Sequence, residues 1–234
     1  MAVVDTGNPQ ADLAHGAGRR FPLPGGLLPG LGALLVSAGV LGLLVLHLVP
    51  PTSAISPVRR TLSEYALGEA KWAFDGSLLL IAVGSALVFA AVARRGVPKP
   101  PATALVLGVV WTVSLVVIVA FTKTNWAVGP SLGGTIHRYA SVAAFVSLPA
   151  SVLFAVRRVF PDNPGWRWAA RGCAVVSLLW FGSIVVGAVG MAFGGPPWWR
   201  FVPLGLVERM VAFAAVAGLV VLAVGMVRTR RTTA

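Results

Sequence analysis

The sequence carries very little charge for its length. Of its 234 residues, 11% are Asp, Glu, Lys or Arg and 57% are hydrophobic. A soluble domain has about 25% charged and about 45–50% apolar residues. Because so few charges cannot cover a water-facing surface, the composition excludes a soluble globular enzyme, a disordered chain and a coiled coil.

Cysteine is almost absent as well, and so are the short motifs of common catalytic sites. Cys173 is the single cysteine, which excludes an internal disulfide framework and a metal site built from several cysteines. The chain also lacks a G-x-x-x-x-G-K phosphate loop, an H-E-x-x-H zinc motif and a G-x-S-x-G nucleophile elbow. No reaction can therefore be assigned from a motif.

Six long apolar stretches dominate what the sequence does contain. They cover residues 31–49, 76–93, 102–121, 139–156, 172–193 and 210–227. Each stretch has close to the length of a transmembrane helix, which needs about 20 residues. The apolar residues run continuously, whereas in the strands of a membrane barrel they alternate with polar ones. We predict an all-α integral membrane bundle of six transmembrane helices over 31–227, with a flexible tail over 1–30 and a basic tail over 228–234.

The positive charges predict the orientation of this bundle. Cytoplasmic loops of membrane proteins carry an excess of Lys and Arg. With the N-terminus inside, the inner segments hold twelve of the 19 Lys and Arg residues and the outer segments hold seven. We therefore expect both termini in the cytoplasm and the protein in the cell (plasma) membrane. The net charge of +12 then reflects topology and attraction to anionic lipid, and we expect no nucleic-acid partner.

Small residues predict where helices touch, because they let two helices in lipid approach closely. The predicted contact positions are Ala143, Ser147, Ser151 and Ala155 in the fourth stretch, Gly182, Gly187 and Gly190 in the fifth, and Ala214 and Gly218 in the sixth. Pro149 removes a backbone donor within the fourth stretch, and we expect a kink there.

Polar residues gather on the predicted outer rim of the bundle. Four of the seven acidic residues lie there, together with two histidines and several cations. The candidate site on this rim comprises His47, Ser63, Glu64, Tyr65, Lys71, Asp75, His137, Arg138, Glu208 and Arg209. Glu208 and Arg209 are neighbours in sequence and point about 100° apart on a helix. We expect each of them to meet either another helix or a ligand.

The first outer loop contains a helix-start signal. Thr61 and Glu64 fit a capping box, in which each side chain binds the other's free amide. In a helix starting there, Glu64, Gly68, Lys71 and Asp75 would share one face, and Lys71 could pair with Asp75. This face is either a solvated surface or one wall of a polar pocket.

The two histidines of the rim leave a metal site open. His47 and His137 lie at the same predicted membrane depth, whereas the third histidine, His15, lies in the cytoplasmic tail. A zinc site of three histidines is therefore excluded on one face of the membrane. Two histidines with Asp75 could still hold a metal, or both could simply be hydrogen-bonded at the interface. We expect no other cofactor.

Four sequence pieces, taken together, resemble a known family. They are His47 with Pro50, Ser63-Glu64-Tyr65-Ala66-Leu67-Gly68 followed by Trp72, Gly134-Thr135-Ile136-His137, and Gly205-Leu206-Val207-Glu208-Arg209. In order and loop position they resemble the bacterial and archaeal six-helix membrane proteins catalogued as domain of unknown function 998. One departure is that Thr124-Asn125 stands where this family tends to have Thr-Asp. The resemblance implies a six-helix fold and a membrane location but no reaction.

Three functions are compatible with these observations. The favoured one is a non-catalytic multi-pass membrane protein whose polar rim binds a lipid headgroup or a partner protein. The alternatives are a membrane-embedded lipid hydrolase or transferase that uses the histidines and carboxylates, and a small transporter, which could act as a homo-oligomer. Besides the lipid bilayer itself, the partner stays open at this stage.

Overall fold

The chain folds into six long helices with short connections. The computed structural model describes residues 26–95 and 101–231. The long helices are α1 (Leu27–Val45), α2 (Lys71–Ala93), α3 (Ala102–Ala120), α4 (Leu132–Val159), α5 (Pro164–Ala192) and α7 (Leu204–Arg231). A short helix, α6 (Trp198–Phe201), and two 3₁₀ helices (Thr52–Ala54 and Leu62–Leu67) lie in the connections.

The predicted fold class is confirmed. All six long helices are long and apolar enough to cross a membrane, and the described residues include no strand. The shortest of them have 19 residues, or about 28 Å at 1.5 Å per residue, which matches a hydrocarbon core of about 30 Å. The predicted tails lie partly outside the described residues, and where they are described they are mostly helical: α1 begins at Leu27 and α7 continues to Arg231.

The helices pack as three antiparallel hairpins. α1 packs on α2, α3 on α4, and α5 on α7. Contacts of α2 with α3, α4 with α5 and α7 with α1 join the hairpins into a ring. Since α7 also touches α2 and α4, it is the most central helix, whereas α1 and α5 turn many large apolar side chains outward.

Glycines of α1 and α2 let these two helices approach each other closely. A Cβ atom on Gly84 would lie 2.7 Å from the carbonyl oxygen of Gly32 and 2.8 Å from the backbone nitrogen of Val36. Such distances are shorter than real Cβ contacts, so only glycine lets the two backbones come this close. This is the packing by small residues that is common between helices in lipid.

Some of the small residues predicted to lie in helix contacts do so in the structure, and others do not. In α4, Ser147, Ser151 and Ala155 are buried, as predicted. In α7, a Cβ on Gly218 would lie 3.3 Å from Cys173 of α5, which confirms that contact. In α5, Cβ atoms on Gly182 and Gly190 would meet nothing within 4 Å. The prediction was wrong for these two glycines, because no described residue packs on them, whereas Gly187, which was predicted with them, is buried together with Ala174 and Ser177 of the same helix.

Polar side chains within the helices find partners inside the bundle. The Ser151 hydroxyl donates to the Ala104 carbonyl at 2.6 Å, linking α4 to α3, and the Ser177 hydroxyl donates to the Val211 carbonyl at 2.9 Å, linking α5 to α7. The indole of Trp111 donates to the Ser85 hydroxyl at 3.0 Å. Hydrocarbon offers no competing partners, so these bonds fix how the helices face each other. α4 continues through Pro149 without interruption.

The two ends of the bundle differ in character. At one end lie the connections 46–70, 121–131 and 193–203 with the adjoining helix ends, and we call this the polar end. At the other lie Arg94, Arg157 and Arg228 with the α4–α5 connection, and we call this the basic end. All ten residues of the predicted rim site belong to the polar end.

The glycine contact between α1 and α2 leads to a test of the fold. We expect Gly84→Ala to lower the free energy of unfolding by about 1–3 kcal/mol, the usual cost of overpacking, because backbone atoms stand in the way of the new methyl group. Gly182→Ala is the matched control, since its methyl group meets open space and alanine favours a helix. Thermal unfolding in detergent measures both. Equal midpoints for the two variants would contradict the described α1–α2 contact.

Candidate functional site at the polar end

A segment that we call the strap, residues 46–67, crosses the polar end between α1 and α2. Its first turn is closed by Thr52, whose hydroxyl donates to the carbonyls of Leu46 at 2.5 Å and Val49 at 2.8 Å. Further along, the carbonyl of Val58 accepts from the amide of Leu206, at 3.1 Å. The strap is therefore attached to the N-terminal turn of α7.

Gly205 allows this attachment by lacking a side chain. A Cβ atom there would lie 2.7 Å from the Pro57 carbonyl oxygen and 2.8 Å from the Arg60 nitrogen. Any larger residue would push the strap away from α7.

Arg209 of α7 holds the strap by its backbone. One terminal nitrogen of its guanidinium, Nη1, donates to the carbonyls of Pro57 at 2.8 Å and Arg60 at 2.6 Å. The same nitrogen also lies 3.0 Å from the Gly205 carbonyl of its own helix. A charged donor makes a stronger hydrogen bond than a neutral one, so this group is the main link between α7 and the strap.

The rest of the guanidinium meets two predicted site residues. Nε of Arg209 donates to Nε2 of His47 at 2.7 Å, and Nη2 donates to the hydroxyl of Tyr65 at 3.2 Å. The guanidinium carbon lies 5.8 Å from the centre of the Tyr65 ring, and the rings of His47 and Tyr65 meet edge to face at 5.4 Å. Arg209 of α7 and the two strap residues His47 and Tyr65 form what we call the Arg209 clamp.

The hydrogen bonds of His47 define its tautomer. Nδ1 lies 2.8 Å from the Leu43 carbonyl oxygen, which can only accept, so Nδ1 carries the proton. Nε2 is then the acceptor for Arg209, which can only donate. Both ring nitrogens are thus engaged within the protein, and neither points to a metal.

Glu208 caps the second 3₁₀ helix of the strap from outside. Its Oε2 accepts from the amide of Leu62 at 3.0 Å, while Thr61, at the N-cap, makes no side-chain capping bond. The predicted capping box between Thr61 and Glu64 is therefore wrong. The two side chains that should form it are drawn to Lys123 instead.

Lys123, from the connection after α3, ties that segment to the strap. Its ammonium donates to Glu64 at 2.5 Å and to Thr61 at 2.9 Å. The Thr61 hydroxyl lies 3.1 Å from that of Ser63, which is buried. Arg60 approaches the other oxygen of Glu64 at 3.6 Å, but 65% of its side chain is exposed, against 15% for Lys123. The pair of Lys123 and Glu64 is the stronger of the two, because it is better shielded from water.

The predicted pair of Lys71 and Asp75 is confirmed, with Nζ and Oδ2 at 2.5 Å. Lys71 also lies 3.5 Å from the Val119 carbonyl, and Oδ1 of Asp75 is buried without a hydrogen-bond partner. α2 begins only at Lys71, and Glu64 belongs to a separate 3₁₀ helix. The prediction that Glu64 and Gly68 share a helical face with this pair was wrong, because the chain is extended at Gly68.

His137 and Arg138 lie apart from the Arg209 clamp. His137 is buried and its Nδ1 donates to the Phe121 carbonyl at 2.7 Å. Arg138 is exposed, with its guanidinium 5.7 Å from the centre of the Trp126 ring. Within the described residues, no three His, Cys, Asp or Glu side chains are grouped as a metal ion would require. The structure thus does not bring His47, His137 and Asp75 together.

Two members of the network were absent from the predicted site. Lys123 and Thr61 both lie in the predicted outer segments, but only the fold shows that they meet. The signal was the position of Lys123 directly after an apolar stretch, at the same end as Glu64. Close by, Asn125 accepts the Ala127 amide at 3.1 Å through Oδ1. An Asp side chain can make the same turn bond, so this turn does not require a carboxylate at position 125.

Comparison with known proteins identifies the family to which the chain belongs. A family model described as "Protein of unknown function (DUF998)" matches residues 31–225, which is most of the chain and includes the whole Arg209 clamp. The chain belongs to the DUF998 family. This confirms the resemblance drawn from the sequence, and the family description assigns no activity. No curated protein and no solved structure matches the chain.

For this DUF998 protein, replacing Arg209 tests the clamp. A hydrogen bond to a charged group contributes about 1.5–3 kcal/mol. We therefore expect Arg209→Ala to lower the free energy of unfolding by about 3 kcal/mol or more and to expose the amides of residues 58–65 to hydrogen exchange. Arg209→Lys should restore less than half of the loss, because lysine lacks the planar fork of donors. The matched control is Arg59→Ala, an exposed arginine of the strap. If these amides exchange as slowly in Arg209→Ala as in the wild-type protein, the result would contradict the clamp.

The pair of Lys123 and Glu64 is tested by a double-mutant cycle. We expect Lys123→Met and Glu64→Gln each to lower the unfolding midpoint and the double variant to lose less than their sum. The coupling free energy should fall within about 0.5–3 kcal/mol, as for residues in contact. Arg60→Ala serves as the control, because its ion pair is largely exposed and such pairs contribute about 0–1 kcal/mol. Additive losses would show that Lys123 and Glu64 do not interact.

Proposed function

We propose that this DUF998 protein is a non-catalytic protein of the cell membrane that presents the strap outside the cell to a partner protein. In this orientation the basic end faces the cytoplasm, as do both termini. The excess of arginines at the basic end supports it, since cytoplasmic segments carry most of the Lys and Arg of membrane proteins.

The single observation that carries the proposal is the way Arg209 is engaged. A catalytic or transport site keeps a charged group available for its ligand, whereas Arg209 directs its donors at strap carbonyls, His47 and Tyr65. The candidate bases are engaged too, since Glu208 caps Leu62 and Glu64 binds Lys123. This favours a protein that presents a fixed binding surface over the alternatives of a hydrolase, a transferase or a transporter.

A held segment is well suited to recognition. Binding is weakened by the cost of ordering loops and side chains, and preorganisation lowers that cost. The outer surface of the strap exposes Val58, Arg59 and Arg60, with Glu69 just beyond it. A partner segment with acidic and apolar side chains complements Arg60 and Val58.

A partner protein is favoured over a lipid headgroup at this end by the state of the lysines. Lys71 and Lys123 would be natural phosphate ligands, but each is paired with a carboxylate at 2.5 Å. Because cations and carboxylates are mixed here, the polar end lacks the strong positive field that attracts anionic headgroups.

Site-directed crosslinking on intact cells tests the orientation and the partner together. In a Cys173→Ala background, Arg59→Cys is treated with a membrane-impermeant reagent that carries a maleimide and a photoreactive group. We expect labelling at position 59 and, after illumination, a protein adduct of one discrete mass. Arg94→Cys is the matched control at the basic end, and it should be labelled only after the membrane is permeabilised.

The adduct should also depend on the clamp, since the strap loses its fixed shape without Arg209. Adding Arg209→Ala should therefore abolish the discrete adduct while leaving position 59 labelled. Labelling of position 94 in intact cells would overturn the orientation. Lipid adducts alone, or an adduct that survives Arg209→Ala unchanged, would overturn the partner protein.

A further inference from the structure

Among the described residues, three exposed arginines at the basic end lie outside any ion pair. Arg94 follows α2, Arg157 lies in the last turn of α4, and Arg228 lies near the end of α7, and all three are exposed. Within the described part of the chain, none of the three forms an ion pair or a side-chain hydrogen bond. Asp162, also exposed, is the one acidic residue that the described ranges place at this end. These charges thus remain available to a ligand.

The three helix ends that carry these arginines are tied to one another. Arg95 donates from Nη2 to the Thr229 hydroxyl at 2.6 Å, which joins the end of α2 to α7. Its guanidinium also lies 5.4 Å from the centre of the Phe160 ring, at the end of α4. Phe160 in turn packs so closely on α7 that a Cβ on Gly225 would lie 2.6 Å from its ring. The arginines therefore project from a fixed platform.

The rim of this platform is built to lie in a membrane interface. Trp168, in the first turns of α5, is 63% exposed, and the Arg171 guanidinium lies 4.9 Å from the centre of its ring. Tryptophan is enriched where hydrocarbon meets headgroups. Beyond Trp168, α5 turns a series of large apolar side chains outward, among them Val175, Val176 and Leu179. A ligand here meets positive charge and an apolar surface together.

We propose that the basic end binds the headgroups of anionic phospholipids through Arg94, Arg157 and Arg228. The phosphate meets the guanidinium groups, for which its geometry suits bidentate hydrogen bonds, and the acyl chains lie along the apolar face of α5. A water-soluble phosphate would use only half of this surface. The site is independent of the strap and of its partner.

Thermal unfolding with defined lipids tests this site on the full chain. We expect phosphatidylglycerol added to protein in neutral detergent to raise the unfolding midpoint by several degrees, and phosphatidylcholine to raise it much less. At about 1 M salt, where the Debye length is about 3 Å, the difference between the two lipids should shrink. Glycerol phosphate, which lacks acyl chains, should give no shift.

Two triple variants with the same loss of charge make the test specific to this end. Arg94→Gln/Arg157→Gln/Arg228→Gln should lose more than half of the shift caused by phosphatidylglycerol. Arg59→Gln/Arg60→Gln/Arg138→Gln, at the polar end, should keep it. Because all six side chains are exposed, both variants should fold. Equal shifts with the two lipids, a full shift in the first variant, equal losses in both variants, or a full shift with glycerol phosphate would each overturn the proposal.

Discussion

The structure of the polar end depends on the hydrogen bonds that the guanidinium group of Arg209 donates. The guanidinium is a permanently charged group near the end of a membrane-spanning helix, and such a group is stable only if its donors are satisfied. Strap carbonyls, the His47 ring and the Tyr65 hydroxyl satisfy them. This arrangement determines the path of the strap and the tautomer of His47. It also requires glycine at position 205, where the strap passes close to α7.

The two ends of the bundle use their charges in opposite ways. At the polar end, Lys71 and Lys123 meet carboxylates and Arg209 meets backbone carbonyls of the same chain, so these charges hold a shape. At the basic end, Arg94, Arg157 and Arg228 meet no carboxylate within the described residues, so the charges remain available to the surroundings. Between the two ends, the helices are linked by hydrogen bonds from serine and tryptophan side chains and by close contacts at glycines, rather than by charged groups. The proposals for a partner protein and for anionic lipid follow from this difference.

Much of the fold could be predicted because a bilayer demands long apolar helices, and the sequence shows six of them. The pair of Lys71 and Asp75 was also predictable, because a four-residue spacing on a helix brings side chains together. The link from Arg209 to His47 was not, since it depends on helix order and on the path of the strap. The capping box of Thr61 and Glu64 was predicted wrongly because it was inferred from neighbouring residues alone. Lys123, which binds both side chains, comes from a different connection. Gly182 misled because spacing identifies a small residue but not the side on which a neighbour packs.

Nitrogen NMR of the His47 ring tests the clamp most directly. The chain has three histidines, so His15→Gln and His137→Gln variants allow the His47 signals to be assigned in ¹⁵N-labelled protein. We expect a proton on Nδ1 and an unprotonated Nε2 that accepts from Arg209, with the Nε2 signal shifting in Arg209→Lys. A proton on Nε2, or an Nε2 signal that does not respond to Arg209→Lys, would show that His47 and Arg209 do not meet.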